Sequence, residues 1–391
     1  MRAAVITRLD DLADGQWNRV AGTRNPFLRS EFLAALERHR CVGESFGWYP
    51  QHLVVYDADG ELAGVAPLYL KDNSYGEFVF DWSWADAYQR SGRAYYPKLV
   101  SSIPFTPVTG PRLLVRDGAN RTAIIDALVH QSLELTRATG SSSLHWLFTT
   151  DSDTDELLDY GLLRRTACHF HWHNRGYRTF DDFLQQLNSR KRKKLRRERR
   201  YVAEAGIRME IIHGDEASEE LWATLHRFYR STFEQKSGIA TLSLDFFLDI
   251  CQTMGEQVVL VCARDGRRVV AGAINLRSDT ALYGRHWGCS ERYHSLHFET
   301  CYYQGIDYCI EHKLSLFEPG AQGEHKLSRG FLPTLTWSAH WLEDVPFREA
   351  VSRFLANEHE LMLDYYKEML GYSPYRQDQG VHGEDGKKYD G

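Results

Sequence analysis

Apolar residues along this chain recur with two spacings, and the spacing sorts the elements. Alternation of period two, or a short unbroken apolar run, marks strands, because successive strand side chains face opposite ways. Such runs fall at 52–56 and 61–70, 144–148, 168–174, 207–213, 258–262 and 269–276, 282–288, 314–317 and 335–342, and a short strand opens residues 1–24. Apolar spacing of three and four marks helices, where those neighbours share a face. It predicts helices from Ser30, placed as the N-cap, to about Arg40, and over 121–138, 153–160, 219–233, 244–254, 296–310 and 346–370. The stretch from Phe180 to about Ala205 reads as one long helix, and the polar, Gly-rich tail from Gly371 reads as disordered. Residues 71–114 show neither period. Their aromatics, Trp82 among them, lie beside Glu77, Asp81, Asp86, Arg93 and Lys98, which suits a cleft wall or an inter-domain face.

One arrangement occurs twice. A hairpin turning at Asp59-Gly60, with Ala63-Gly64 in its second arm, is replayed by a hairpin turning at Asp265-Gly266 with Ala271-Gly272. In a chain of 391 residues, too long for one comfortable core, this weak repeat predicts two related α/β halves. The expected division is 1–175, 176–370 and a tail of 371–391. Within the second half, strand 282–288, helix 296–310 and strand 314–317 form a strand–helix–strand unit, whose crossover places ligands at strand ends.

Charge sharpens the picture at one place. The formal net charge of −6 argues against a protein coated in basic charge for nucleic acid, yet residues 190–200 hold nine basic residues and one acid. That run carries +8, leaving −6 − 8 = −14 for the rest. Arg192, Lys193, Lys194, Arg196 and Arg197 are therefore candidates for an anionic donor: RNA, the diphosphate of coenzyme A, or an acidic carrier protein. A solvated helix face is the alternative. Base-stacking aromatics are missing apart from Tyr201, which disfavours a sequence-reading RNA module. Seven cysteines without a CxxC pair read as reduced thiols. With an N-terminus that turns acidic at Asp10-Asp11 and no window near the roughly eighteen apolar residues of a membrane helix, a cytoplasmic protein without signal peptide or span is expected.

The richest chemistry follows strand 314–317. Pro319 and Gly320 end the strand, and a loop then holds Gln322, Glu324, His325, Lys326 and Arg329 among Gly320, Gly323 and Gly330. With Glu318 at the strand end, the loop offers acids, an imidazole, an amine, an amide and a guanidinium, a set suited to proton transfer and binding. Glu299 and Tyr303, four residues apart on the preceding helix, share a face toward it. His169, His171 and His173 alternate along strand 168–174. Three imidazoles at that period suit zinc or a cleft floor; no fourth ligand is evident, and no metal is expected.

Several longer motifs resemble one family: 74–85 (SYGEFVFDWSWA), 95–99 (YYPKL), 104–110 (PFTPVTG), His171-Trp172, the basic helix, 296–299 (LHFE) and 318–326 (EPGAQGEHK). The resemblance is to FemAB-like predicted N-acyltransferases, also labelled peptidoglycan biosynthesis/recognition proteins, and spans about residues 25–370. It implies two tandem GNAT-like domains, each a mixed twisted sheet flanked by helices, with the acceptor on the first-half side and the donor and catalytic loop in the second. An amine would attack an activated acyl or aminoacyl group directly, the donor substrate being acyl-coenzyme A or aminoacyl-tRNA, with no tightly bound cofactor. One departure stands out: where GNAT enzymes carry a glycine-rich diphosphate loop, this chain has Gly288-Cys-Ser-Glu-Arg-Tyr-His-Ser-Leu296. His325, Glu324 and Glu318 are the candidate bases. Lys326, Arg329 and Arg285 are candidates for a carboxylate or phosphate, and Gln322 for the oxyanion. Glu77, Asp81, Trp82, Lys98 and His171, with Glu299 and Tyr303, are candidates for the amine acceptor, a small molecule or peptide. The alternative is a non-catalytic protein binding a cell-wall or peptide ligand in the inter-domain cleft.

Overall fold

The computed structural model describes residues 1–236, 238–321 and 323–376. The first part of the chain forms β1 (Arg2–Ile6), α1 (Gln16–Ala21), α2 (Ser30–Arg38), β2 (Trp48–Pro50), β3 (His52–Tyr56), β4 (Leu62–Ala66), β5 (Tyr69–Lys71), α3 (Trp82–Arg90), β6 (Lys98–Ser101), β7 (Leu114–Val115), α4 (Arg121–Ala138), β8 (Ser143–Thr149), α5 (Asp151–Asp159) and β9 (Leu163–His173). Then come α6 (Phe180–Gln186), α7 (Ser189–Glu204), β10 (Ile207–His213), α8 (Glu219–Glu234), α9 (Leu244–Met254), β11 (Val258–Asp265), β12 (Arg268–Arg277), β13 (Ala281–Cys289) and α10 (Leu296–Phe298). A π turn (Glu299–Tyr303), α11 (Gln304–Glu311), β14 (Leu316–Glu318), a 3-10 turn (Glu324–Arg329), β15 (Leu332–Leu342) and α12 (Val345–Gly371) complete it.

Helix starts follow from side-chain oxygens that accept otherwise unpaired first-turn N–H groups. Asn120, Thr150, Thr179, Asn188, Ser218, Ser243 and Asp344 each do so. Ser30 does not. It is the first helical residue of α2, behind Arg29, and its side chain caps nothing. The long helix expected over 180–205 is two, because Asn188 starts α7 afresh while Leu187 forms a β-bridge with Tyr375. The second arm of the first hairpin also divides: β4 pairs with β3, whereas β5 joins another sheet. The aperiodic 71–114 region holds α3 and β6. The disordered tail expected from Gly371 falls mostly on 377–391, outside the described residues.

One sheet has four strands, ordered β1-β3-β4-β7. The other has eleven, ordered β10-β11-β12-β13-β14-β9-β15-β8-β6-β5-β2, and runs unbroken through both halves. The expected division at residue 175 is crossed by the chain itself: β15, from the second half, lies between β9 and β8, pairing antiparallel with both. Apolar packing crosses there too. Phe32 of α2 meets Phe246 of α9 edge to face at 5.4 Å between ring centroids, and Phe27 meets Tyr283 at 5.2 Å. Such buried aromatic pairs contribute about 1 kcal/mol each beyond their area, and they hold the two halves in register around the site.

Candidate active site

The site begins where two parallel strands part. β13 and β14 pair only over Ala281–Tyr283 and Leu316–Glu318. Beyond that, β13 carries a bulge: Asn275 of β12 faces Gly284 and Ile274 faces His286, so Arg285 is the extra residue. Pro319 simultaneously turns β14 away. A Cβ on Gly284 would lie 3.2 Å from the Pro319 Cα, a tight contact that glycine avoids where the strands separate. Between them lies a cavity of about 100 Å³ lined by Gly284, Arg285, His286, His297, Tyr302 and Pro319. A groove of about 360 Å³ along Lys236, Arg292 and Tyr293 shares Trp287 and His297 with it, giving a path outward.

Glu318 ends β14 at this parting and is 5% exposed. Burial pushes its carboxyl up to about 8, although the Thr109 backbone, Arg112 and Arg285 all pull it down. Its Oε2 has no hydrogen-bond partner among the described residues, and His171 Nε2 lies 3.7 Å from it. Burial, and then the neighbouring His169 and His173, keep His171 well below the usual imidazole range, so that contact joins two neutral groups at pH 7. His169 is pushed down to about 4 by burial and by Lys326. Lys326 is buried, is pushed down to about 8 by burial, and donates from Nζ to the Gly320 carbonyl at 2.5 Å. His173 is exposed, so the expected row of three imidazoles presents two inside. No group of three or more His, Cys, Asp or Glu among the described residues could hold a metal.

The loop after β14 does not converge on one point. Glu324 is exposed and accepts from the Tyr365 hydroxyl at 3.1 Å. His325 faces the other side, into a basic pocket of about 730 Å³ that it lines with Lys194, Arg197, Tyr201, His294 and Ser328. Its Nε2 is hydrogen-bonded to the Tyr302 hydroxyl at 2.8 Å, so Tyr302 stands as the wall between pocket and parting. Burial, and then Arg329, Lys326 and Lys194, hold the imidazole below its ordinary range. Gln322 lies outside the described residues.

Three expected ligand-binding residues are structural. Arg329 is 2% exposed, with Nη2 at 2.9 Å and Nε at 3.2 Å from the two oxygens of Glu198. It also donates to the His325 carbonyl and lies flat over Phe298 at 3.3 Å. Tyr303 gives its hydroxyl to Glu198 in the same cluster. Glu299 accepts from Arg199 at 3.1 Å and from Gln304 at 2.7 Å. Glu198 is the one acid of the basic run, and the π turn places Glu299 and Tyr303 to dock α7. Arg329, Tyr303 and Glu299 Oε1 serve the docking, while Glu299 Oε2 has no partner among the described residues. The rest of the run stays outward: Lys193 and Arg197 are exposed, Arg192 half-buried, and none has an acidic partner among the described residues, while Arg196 meets Asp181 at 3.0 Å.

The first-half candidates form a closed cluster of their own. Lys98, fully buried, donates to Glu77 and Ser74 at 2.8 Å and to Asp81. The Tyr95 hydroxyl adds a 2.6 Å bond to Asp81 and leads through His145 to His340, at 2.7 Å between Nδ1 atoms. Against the effect of burial, Lys98, His145 and Tyr95 hold Asp81 down to about 2, whereas burial raises Glu77 to about 7. Lys98 thus bonds one oxygen of each carboxylate inside the protein, and Glu77 Oε1 and Asp81 Oδ1 have no partner among the described residues. Trp82 is 45% exposed, outside this cluster.

Sequence reading missed Arg112 and Tyr302. Arg112 is 1% exposed and donates to the carbonyls of Val108, Gly110, Pro111 and Leu147. An arginine set in the apolar run Val108 to Val115 was its only signal.

Comparison with known proteins bears on this geometry. A family model, FemAB-like, described as peptidoglycan biosynthesis/recognition, matches residues 8–377. The crystal structure of FemX superposes with a TM-score of 0.53 at 12% identity, covering 90% of this chain and 100% of that one. The C-terminal domain of a putative lysylphosphatidylglycerol synthetase from Agrobacterium fabrum gives 0.53 at 9% identity, covering 87% and 94%. A tandem GNAT protein from the clavulanic acid pathway gives 0.45 at 13%, covering 87% and 98%. Among curated proteins no sequence match is found. The first two likenesses concern the fold alone, α/β sheets flanked by helices.

Proposed function

Because the chain belongs to the FemAB-like family, and its strands part around a buried, unpartnered carboxyl, we propose that it is an N-acyltransferase. It moves an activated acyl or aminoacyl group to an amine acceptor by direct attack. The observation that carries this reading is Glu318 at the end of β14, raised to about 8 and without a hydrogen-bond partner at Oε2 among the described residues, beside a neutral His171. A carboxylate of that basicity matches the proton it must take from an attacking amine.

The amine nitrogen attacks the acyl carbon in the parting, the C–N bond forms and the carbonyl electrons move onto oxygen. The amine proton passes to Glu318. Collapse of the tetrahedral species expels the carrier, a thiolate from coenzyme A or a ribose hydroxyl from tRNA, and the proton leaves with it. The carrier's phosphates rest on the basic pocket and the outward face of α7, at Lys194, Arg197, Lys193 and Arg192. Both carriers are rich in phosphate, so this face serves either.

The test is acyl transfer to amines from acyl-coenzyme A and, separately, from aminoacyl-tRNA, with the wild type and Glu318→Gln. Turnover that Glu318→Gln lowers about a hundredfold or more, rising with pH toward 8 in the wild type, supports the reading. Turnover untouched by Glu318→Gln removes Glu318 from the chemistry. Absence of turnover with both donors, alongside saturable binding of a peptide ligand, favours a binding protein.

A further inference from the structure

Three cations, the buried Arg112 and Lys326 and the half-buried Arg285, lie around Glu318 and His171, and Asp153 acts on Arg112 alone. Arg112, Arg285 and Lys326 have no carboxylate within 4.0 Å among the described residues, although Arg112 and Arg285 both act on Glu318, and Lys326 on His171. A cation removed from water ordinarily has a counter-charge, since its desolvation is otherwise uncompensated. Two of the three turn to backbone carbonyls. Arg112 donates from all three nitrogens to backbone carbonyls, and Lys326 donates to Gly320.

Arg285 differs. Only its Nη2 is engaged, donating to the Phe105 carbonyl and, at 3.1 Å, to Thr106 Oγ1. Its Nε and Nη1 have no partner among the described residues, and Arg285 is one of the residues around the cavity between the parted strands. The bulge on β13 sets it there, and the first-half loop that receives Nη2 fixes its direction. Its guanidinium is pushed down to about 10 by burial. The neighbouring acid gives no compensation at neutral pH, because Glu318 is mainly protonated.

The site is thus short of a negative charge at Arg285 and of a hydrogen-bond partner at Glu318 Oε2. A zwitterion supplies both. We propose, building on the transferase reading, that the acceptor carries a carboxylate close to its attacking amine, and that Arg285 binds this carboxylate through Nε and Nη1. The amine then faces Glu318, which the incoming ammonium helps to ionise before it takes a proton. The cavity of about 100 Å³, bordered by Arg285 and by Pro319 next to Glu318, has room for the amino-acid end of an acceptor. Arg285 acts here as a specificity-determining residue: a simple amine, or an amine whose neighbouring carboxyl is already an amide, leaves its donors unpaired.

The experiment titrates the intact protein with L-alanine, glycine and L-lysine, each against its own amide, and with propionate as the acid lacking an amine. Calorimetry at pH 7 gives the affinities. A charge-assisted hydrogen bond corresponds to about tenfold to a hundredfold in affinity, so at least one amino acid binds tighter than its amide by that factor. Propionate also binds more weakly than alanine. Arg285→Met brings the ratio of acid to amide close to one, and Arg285→Lys keeps part of it. Equal binding of acids and amides by the wild type overturns the proposal, as does failure of all three amino acids to saturate. The wild-type comparison stands even where Arg285→Met loses its grip on Phe105 and misfolds. If the preference is present but neither acyl-coenzyme A nor aminoacyl-tRNA supports transfer, the carboxylate site survives and the transferase reading falls.

Discussion

Arg329→Met is the perturbation that separates a ligand-binding arginine from a structural one. In the wild type the guanidinium bonds both oxygens of Glu198 at 2.9 and 3.2 Å, with side-chain exposures of 2% and 8%. Removing one partner of such a pair leaves a buried charge alone, which costs about 3–5 kcal/mol. Two features moderate that figure. Tyr303 continues to donate to Glu198, and Lys194 Nζ, already 3.8 Å away, is able to close on the freed carboxylate. A cost of about 3 kcal/mol, the low end of that range, is therefore the expectation. Glu198→Gln costs a similar amount, and the double variant Arg329→Met/Glu198→Leu costs much less than the sum, because no charge is left buried. Urea unfolding of the two single variants and the double gives the coupling, and hydrogen exchange on α7 locates it, since α7 loses its anchor to the turn after β14. An Arg329→Met protein that loses less than about 1 kcal/mol, keeps α7 protected, and still fails to bind donor refutes the structural assignment and returns Arg329 to the ligand.

Glu318 links stability to pH. Its carboxyl rises from 4.5 to about 8 on folding, so the folded state holds the proton more tightly than the unfolded one. That contribution is complete below about pH 4.5 and is lost as pH climbs to 8, at about 1.4 kcal/mol for each pH unit between those values. Glu318→Gln removes this slope, so urea midpoints for the variant fall less between about pH 5 and 9 than those of the wild type; parallel curves contradict the burial argument. On α7, Lys193→Glu with Arg197→Glu weakens donor binding and lowers the dependence of log Kd on log salt by about one to two; an unchanged slope leaves those residues as a solvated face. Lys98→Met strands Glu77 and Asp81 inside the protein and costs about 3–5 kcal/mol at pH 7, with partial recovery in acid as the carboxyls protonate. A neutral effect in urea unfolding counts against the closed cluster.

Most of the elements are legible from local rules alone. The hairpins, the helix at 121–138 and the strand–helix–strand unit ending in β14 are written in apolar spacing and turn residues, and they fold where that spacing places them. The site is legible in the sequence as an inventory only. Composition says that the loop after β14 contains an imidazole, an amine and an acid, but the direction of each depends on groups far away in sequence. His325 turns to the basic pocket because Tyr302 receives it, and Arg329 turns inward because Glu198 waits 131 residues earlier in the chain. Glu198 shows the difficulty most plainly. In the sequence it is one acid diluting a basic run, a small correction to a charge count. In the fold it is the residue that fixes α7 against the loop, and the run stays on the surface as a charged face because its single acid is buried. Arg285 is the converse case. Nothing in the surrounding strand pattern distinguishes it from an ordinary outward arginine until the bulge and Pro319 open the space it occupies. The chemistry of this protein is therefore set less by which groups the loop contains than by where β13 and β14 cease to pair. Moving that point by one residue would turn Glu318 to the opposite face of its strand, away from His171.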